Sequence, residues 1–257
     1  MITSYTLFSG SSGNSILVKS GKTEILIDAG CSCRAIEQAL ISVGSSLDSV
    51  KSIFITQEHS DHTSALEMIS KKRNIPVHIT YPSYDALVRE KSYLKRSAIR
   101  HEIEFEAQIG ELNIKSFKIP HDSAQNVGYV ITDKESSLGI ATDIGHITEE
   151  IGYSLKGCEY VILESNHDVD MLNNGFYPAH LKRRILSENG HLSNKNAALL
   201  ACFLAENGAK KITLAHLSKE NNTPSLALET VSGMLRDNNL SPELCVAMPN
   251  EPTAVTR

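Results

Sequence analysis

Short apolar runs rich in β-branched residues alternate along this chain with segments of helical periodicity. The apolar runs predict strands at 5–9, 15–20, 23–29, 52–57, 76–80, 112–119, 127–133, 138–143, 160–165, 211–216 and 244–249. Helical patterns cover 33–43, 63–73, 82–93, 178–188, 194–207 and 224–238. Several strands are apolar at every position, which is typical of sheets that helices cover. The alternation therefore predicts an α/β fold of four layers (αββα), with two mixed sheets packed face to face and helices outside.

The length of the chain bounds how many units of this kind it can form. It has 257 residues, of which 41% are hydrophobic, enough for a sizeable core. The strand pattern restarts near residue 110, and no linker rich in Pro, Gly or Ser precedes it. We therefore expect a single domain over 1–257, built from two similar halves of about 1–109 and 110–257.

Net charge and cysteine usage indicate which cellular compartment and which classes of binding partner to expect. The formal net charge is -5, which excludes a globally basic nucleic-acid binder and leaves room for a local basic patch. The richest basic stretch, 89–101, is a candidate for contact with a nucleic-acid backbone or a solvated helix face. Five cysteines form no C-x-x-C pair, and we find no signal peptide or transmembrane run. A cytoplasmic protein without membrane contact is expected.

Acidic and imidazole side chains follow the ends of several predicted strands. The carboxyl ends of strands are where α/β proteins place their sites. Imidazole and carboxylate together suit Zn²⁺, Mn²⁺ or Fe ions, whereas any one of these residues alone would decorate a turn. The set consists of Asp28, His59, Asp61, His62, His121, Asp143 and His216.

The motifs that contain these residues resemble a known family. "TQEHSDH" at 56–62 is similar to the H-x-H-x-D-H signature of the metallo-β-lactamase fold. The stretches "DAG" at 28–30, "PHD" at 120–122, "ATDIGH" at 141–146 and "AHLS" at 215–218 match its other motifs in order. Within that superfamily, "SGSSGNS", "ESNHD" and "GHLSN" resemble the WalJ (YycJ) group of exonuclease-like hydrolases. The resemblance covers nearly the whole chain.

The resemblance implies a centre with two divalent ions. His59 and His121 would bind the first ion, Asp61, His62 and His216 the second, and Asp143 both. Asp28 would brace the ligand loops through hydrogen bonds, or simply cap its strand. The expected nucleophile is a hydroxide held between the two ions, with Asp61 orienting it and accepting its proton.

Gln57 departs from the signature, because it stands where the first histidine would be. An amide oxygen is a poorer ligand than imidazole for a borderline metal, and it favours harder ions such as Mn²⁺ or Mg²⁺. Three alternatives follow: Gln57 ligates weakly through its oxygen, it holds a water that ligates, or the first site stays empty. The residue pattern does not choose among them.

Three further residues are candidates for substrate binding. His191 precedes the helix that starts near Asn194, where free N–H groups attract phosphate. It would bind phosphate or act as general acid, or else cap or pack against that turn. His167 follows a buried-looking strand and would either line the cleft or serve the structure. Asn14 would point toward the metals or belong to a plain turn around Gly10 and Gly13.

These observations favour a metal-dependent hydrolase of phosphodiester bonds, most simply an exonuclease on DNA or RNA. The substrate class follows from the resemblance, and the chemistry follows from the ligand pattern. The alternatives are a hydrolase of a small phosphodiester, ester or thioester, and a binding protein with an impaired first metal site.

Overall fold

The computed structural model of the protein describes residues 1–90 and 98–256. The strands of its first half are β1 (Thr3–Phe8), β2 (Ser15–Ser20), β3 (Thr23–Ile27), β4 (Val50–Phe54), β5 (Val77–Thr80) and β6 (Ala98–His101). The strands that follow are β7 (Glu106–Ile109), β8 (Leu112–Ile119), β9 (Asn126–Thr132), β10 (Ser137–Ala141), β11 (Tyr160–Glu164), β12 (Lys211–Ala215), β13 (Glu243–Val246) and β14 (Thr253–Ala254).

The helices lie between these strands. In the first half they are α1 (Cys33–Ser42), α2 (Ser60–Thr63), α3 (Leu66–Arg73) and α4 (Tyr81–Glu90). In the second half they are α5 (Glu149–Leu155), α6 (Val169–Asn174), α7 (Ala179–Ile185), α8 (Asn194–Glu206) and α9 (Pro224–Asp237). Ser193 caps α8 and Thr223 caps α9, each accepting a backbone N–H, and Pro224 opens α9 as predicted.

The strands form two mixed sheets. Within the described residues the first has the order β14-β1-β2-β3-β4-β5-β6, and the second β13-β12-β11-β10-β9-β8-β7. In each sheet one part is antiparallel and the other parallel, the parallel parts being β3 to β6 and β10 to β13. The expected division at residue 110 differs from this arrangement, because β7 already belongs to the second sheet and β14 returns to the first.

Apolar side chains fill three interfaces, as a four-layer sandwich requires. Alternate strand residues point to opposite faces, so Ile25 and Ile27 pack between the sheets while Leu26 packs toward the helices. In the second sheet, Ile162 faces the other sheet, and Val161 belongs to the cluster under α5, α8 and α9. The predicted four-layer αββα fold is confirmed, and the strands that are apolar at every position are those buried on both faces.

The elements that the apolar pattern missed are short or carry polar residues. β6 and β7 have only exposed and half-buried positions, and β14 has two residues. Helices α5 and α6 have seven and six residues and were likewise not predicted. The basic stretch at 89–101 and the end of the helix predicted at 82–93 fall largely on 91–97, outside the described residues. No helix in 1–90 or 98–256 is both long and apolar enough to cross a membrane.

Candidate metal centre

The acidic and imidazole side chains that follow different strands meet in one cleft of about 270 Å³. They come from the loop after β4 and from the ends of β8, β10 and β12, which lie at the same edge of the two sheets. The predicted site residues that line the cleft are His59, Asp61, His121, Asp143, His191 and His216. His62, Gln57, Asn14 and His167 are buried and lie outside this lining set.

Three of the strand ends turn through left-handed backbone. Asp28 has φ 61°, Asp143 has φ 58° and His216 has φ 57°. Residues other than glycine seldom adopt this conformation, and it costs free energy that the surrounding contacts must offset. The turn ends each strand abruptly at the residue that carries the polar side chain.

Backbone hydrogen bonds join three loops beneath the cleft. The N–H of Gly30 donates to the carbonyl of Asn14 (2.8 Å), and the N–H of Asn14 donates to the carbonyl of Asp61 (2.8 Å). The N–H of Ala29 donates to the carbonyl of His62 (2.9 Å). Gly30 is required here by space, since a Cβ at this position would lie 1.6 Å from the carbonyl oxygen of Asp61. The "DAG" and "SGSSGNS" motifs therefore fix the loop that carries the ligands.

One group of ligand atoms comprises Asp61, His62 and His216, all within 4.8 Å of one another. Asp143 adjoins it, with Oδ2 3.4 Å from His62 Nε2. Asp143 Oδ2 and His216 Nε2 are buried and have no hydrogen-bond partner within the described residues. Buried polar atoms are normally paired, because burying them unpaired is costly. Converging nitrogen and carboxylate atoms with free lone pairs fit a divalent cation, so this cluster is able to bind metal.

A second group comprises His59, His121 and Asp122, again within 4.8 Å of one another. The rings of His59 and His121 lie 5.5 Å apart between centroids. His121 Nδ1 lies 3.0 Å from the carbonyl oxygen of Gly190 and therefore donates its proton there, which leaves Nε2 free to accept. Asp122 Oδ1 lies 3.3 Å from that Nε2, and Arg184 holds the other carboxylate oxygen in an ion pair.

Glu164 is a functional residue that the sequence reasoning missed. Its side chain is fully buried at the end of β11. Its Oε1 accepts from Nδ1 of His191 (2.9 Å) and from Nδ1 of His216 (2.8 Å). Its Oε2 accepts the backbone N–H groups of Ile144 (2.7 Å) and Leu192 (2.9 Å). The carboxylate thus fixes both rings so that their Nε2 atoms are the free ones. The available signal was an acidic residue closing the apolar run "YVILE".

Asp28 orients the ring of His62 in the same way as Glu164 orients the rings of His191 and His216. Its Oδ2 lies 2.8 Å from Nδ1 of His62 and also accepts from the hydroxyl of Thr56 (2.8 Å), while Oδ1 accepts the Thr56 N–H (2.9 Å). The hydrogen bonds expected of Asp28 are present. They orient the His62 ring with Nε2 toward Asp61 and Asp143.

The electrostatics of the cleft follow from packing carboxylates and imidazoles together. Burial alone would raise the pKa of Asp61, but the neighbouring imidazoles of His216 and His62 hold it well below its usual range. Burial alone would lower the pKa of His216, but the charge of Asp143 and the neighbouring carboxylates of Asp61 and Glu164 raise it to about 10. The excess of negative charge around His216 is the environment that a cation would neutralise.

Comparison with known proteins agrees with this geometry. Residues 23–217 match the Beta-lactamase superfamily domain. The chain belongs to the β-lactamase superfamily. The exodeoxyribonuclease YycJ of Bacillus anthracis is 33% identical over 239 residues, covering 90% of this chain and 88% of that protein. The exodeoxyribonuclease WalJ of Streptococcus pneumoniae is 34% identical over 238 residues, covering 91% and 88%. The predicted membership of the WalJ (YycJ) group is confirmed.

A solved structure shows the same fold at lower identity. The metallo-β-lactamase fold protein YhfI from Bacillus subtilis superposes with a TM-score of 0.74 at 16% identity, covering 98% of this chain and 99% of that one. This likeness concerns the superfamily fold.

Gln57 stands where the superfamily signature has its first histidine. Its side chain is turned toward the group formed by Asp61, His62 and His216. Gln57 is fully buried, and its Nε2 lies 3.1 Å from Nε2 of His62. Its Oε1 has no hydrogen-bond partner among the described residues. Gln57 is also outside the set of residues that line the cleft.

The three candidates for substrate binding occupy different positions. His191 lines the cleft directly before α8. Asn14 lies behind the ligands, with Nδ2 3.3 Å from His62 Nε2 and 3.4 Å from Asp61 Oδ2, so it contacts ligands rather than the open cleft. His167 is buried, bridges by its backbone to Ser193, and has both ring nitrogens unpaired within the described part of the chain.

Proposed function

We propose that this protein is a metal-dependent hydrolase of phosphodiester bonds that acts as an exonuclease on nucleic acid. The observation that carries the proposal is the convergence in one cleft of imidazole and carboxylate atoms, two of which, Asp143 Oδ2 and His216 Nε2, are buried and unpaired within the described residues. The names of the relatives, which are exodeoxyribonucleases, support DNA as the polymer.

We assign the ligands to two ions. His59 and His121 serve the first, Asp61, His62 and His216 serve the second, and Asp143 lies between them, with Gln57 as a weak contributor. The mixture of nitrogen and oxygen donors suits Zn²⁺, Mn²⁺ or Fe. When bound, such ions lower the pKa of water and neutralise charge on phosphate oxygens.

Side chains of the protein orient the water, transfer the protons and bind the phosphate. Asp61 lines the cleft, where we assign it the roles of orienting the attacking water and accepting its proton. His191 donates its Nδ1–H to Glu164, and although burial would lower the pKa of the ring, that carboxylate raises it. The protonated ring can therefore donate its Nε2–H to a phosphate or to the leaving oxygen. The N-terminus of α8, three residues further on, adds a partial positive charge that favours phosphate.

A path for a nucleic-acid strand leads away from the cleft. A second groove of about 550 Å³ shares Ser11, Tyr177 and Ser218 with the cleft, so the two are continuous. The groove is lined by serine hydroxyls of the "SGSSGNS" loop, by polar and charged side chains of residues 218–222, and by apolar residues that include Pro224 and Pro249. In our proposal one phosphate lies among the ligands, and the adjoining nucleotide lies in the groove against the Tyr177 ring.

The second candidate is hydrolysis of a small phosphodiester, ester or thioester. It is favoured by the net charge of -5, which limits attraction to a long polyanion, and by the small volume of the cleft itself. Both candidates use the same ligands, so only the substrate separates them.

The test is to measure metal content and turnover on the same preparations. Bis(p-nitrophenyl) phosphate reports phosphodiesterase chemistry, and end-labelled single-stranded and duplex DNA report exonuclease action, each with Mn²⁺ and Zn²⁺ added in turn. We expect His59→Asn to lower both metal content and turnover. The exposed His146, whose Nδ1 donates to the carbonyl of Glu188, provides the control His146→Asn. Absence of metal-dependent turnover on every substrate would refute the proposal, and turnover of the small diester without DNA would select the second candidate.

A further inference from the structure

The first metal group lacks the imidazole that Gln57 replaces. His59 and His121 remain, and the Gln57 side chain is directed instead at His62, 3.1 Å away between Nε2 atoms. Because the Gln57 amide is directed at His62 rather than at His59 and His121, the first group needs another donor to reach the coordination that a divalent ion prefers.

Asp122, the residue after His121, lies where such a donor is needed. Its carboxylate lines the cleft, and Oδ1 is 3.3 Å from the free Nε2 of His121. One oxygen of Asp122 and one nitrogen each of His59 and His121 lie within 4.8 Å of one another. Asp143 is also near, with Oδ1 3.8 Å from His121 Nε2.

Arg184 fixes the direction of this carboxylate. Its Nε forms an ion pair with Oδ2 of Asp122, so that oxygen faces α7 and Oδ1 faces the histidines. A guanidinium holds a carboxylate in a defined plane better than a flexible ammonium does. Ligating carboxylates are commonly held in this way by an outer hydrogen-bond donor.

We propose that Asp122 replaces the missing histidine as a ligand of the first metal, with Arg184 as its positioning residue. The inference rests on the proposed function, since it concerns the same two-metal centre. It goes beyond that proposal by making Asp122, rather than Gln57, the residue that completes the first site.

The substitution changes which ion the first site prefers. Two imidazoles with carboxylates from Asp122 and Asp143 form a harder donor set than three imidazoles with Asp143 alone. Carboxylate oxygen favours Mn²⁺ and Fe²⁺, whereas imidazole nitrogen favours Zn²⁺. The first site of this chain should therefore take up Mn²⁺, with Zn²⁺ as a weaker competitor than in proteins that keep the first histidine.

The test is a titration of the metal-free protein with Mn²⁺, in which EPR counts the free ion. We expect two bound ions per chain in the parent. Asp122→Ala is expected to lower the affinity of one of them by more than about 100-fold, beyond the effect of losing an outer-shell partner. Arg184→Ala is expected to lower it about 10-fold. Asp170→Ala, an exposed aspartate on α6, and Arg183→Ala, the neighbour of Arg184, are the matched controls and should bind like the parent.

A double variant distinguishes direct binding of the metal by Asp122 from a general effect of its negative charge. Gln57→His restores the histidine of the signature, so the double variant Gln57→His/Asp122→Ala is expected to regain the second ion when titrated with Zn²⁺. If Asp122→Ala binds two Mn²⁺ ions with the parent's affinity, the inference is wrong while the proposed function stands. If the parent binds no Mn²⁺, Zn²⁺ or Fe²⁺ at all, the proposed function fails together with it.

Discussion

Oε1 of Glu164 lies 2.8 Å from Nδ1 of His216, and both side chains are buried. The same oxygen also accepts from His191, so one carboxylate orients a metal-ligand candidate and the candidate general acid. Removing its charge would release both rings at once. Glu164, at the end of β11, therefore sets the orientation of both rings in the cleft.

We predict that Glu164→Gln lowers metal affinity and turnover by about 10- to 100-fold, the range seen when outer-shell partners of metal ligands are changed. The reason is that an amide cannot accept from both Nδ1 atoms and both backbone N–H groups as the carboxylate does. Metal binding is measured by calorimetry and turnover on bis(p-nitrophenyl) phosphate. Glu159→Gln, which loses a half-exposed ion pair to Lys210 just before β11, is the control. Equal behaviour of the two variants would contradict the role of Glu164.

Gly30 leads to a prediction about the loops beneath the ligands. A Cβ at residue 30 would lie 1.6 Å from the Asp61 carbonyl and 2.7 Å from the Asn14 N, so Gly30→Ala must displace the loop that carries Asp61. We expect a loss of about 1–3 kcal/mol in the free energy of unfolding and a loss of bound metal. Urea unfolding and elemental analysis measure the two effects.

The control for Gly30→Ala is Gly233→Ala, because Gly233 lies inside α9 with open space around its Cβ position. That change is expected to stabilise the protein by about 0.5–1 kcal/mol, since glycine is a poor helix former. A Gly30→Ala variant that keeps its metal and its stability would show that the loop has room that the contacts do not indicate.

The sequence predicts those parts of the fold and the site whose cause is local. Ile25, Leu26 and Ile27 are apolar at consecutive positions because the strand is buried on both faces, and Asp28 follows because the strand ends there. The cap of Ser193 and the proline after Thr223 are equally local signals. Such features depend on a few adjacent residues, and the sequence displays them directly.

What the sequence does not predict depends on residues far apart in the chain. Glu164 meets His216 across 52 positions, and Asp122 meets Arg184 across 62. Neither spacing follows from a periodic pattern, since it results from how the strands are ordered in the second sheet. The return of β14 to β1 is a further case, because two residues carry no hydrophobic pattern of their own.

Tyr177 leads to a prediction about substrate length. Its side chain lines both the cleft and the adjoining groove, which is the path that we propose for a nucleic-acid strand. Stacking of a base on an aromatic ring contributes about 1–3 kcal/mol, so Tyr177→Ala should raise KM on a DNA end by about 5- to 150-fold. KM for bis(p-nitrophenyl) phosphate should hardly change, and Tyr177→Phe should keep the parent's values on both substrates.

The control for Tyr177 is Tyr153→Ala, an exposed tyrosine beside the separate groove between α5 and α8. If Tyr177→Ala affects both substrates equally, the ring supports the cleft rather than a strand. If it affects neither, the strand takes another path.

A stack of rings between the sheets leads to a prediction about pH. His78 lies 4.2 Å from Phe54 between centroids, and its Nδ1 lies 2.9 Å from Nε2 of His101. Burial, together with the nearby His101, lowers the pKa of His78 to about 4. Between pH 6.5 and 4 the unfolded chain therefore binds a proton at this residue that the folded chain does not, and stability falls as the pH falls through this window. The loss due to His78 should be on the order of 2 kcal/mol.

We expect His78→Phe, which keeps a ring in the stack, to remove that part of the pH dependence. Urea unfolding at pH 7.5 and pH 4.5 measures it, as the difference between the two free energies of unfolding in each protein. The parent should lose more stability on acidification than the variant, although the variant starts lower at pH 7.5 because His101 loses its partner. Other buried histidines, such as His167, titrate in both proteins, so their contribution cancels in the comparison. Equal losses in parent and variant would mean that His78 is free to take up a proton in the folded state, and that the stack opens to water as the pH falls.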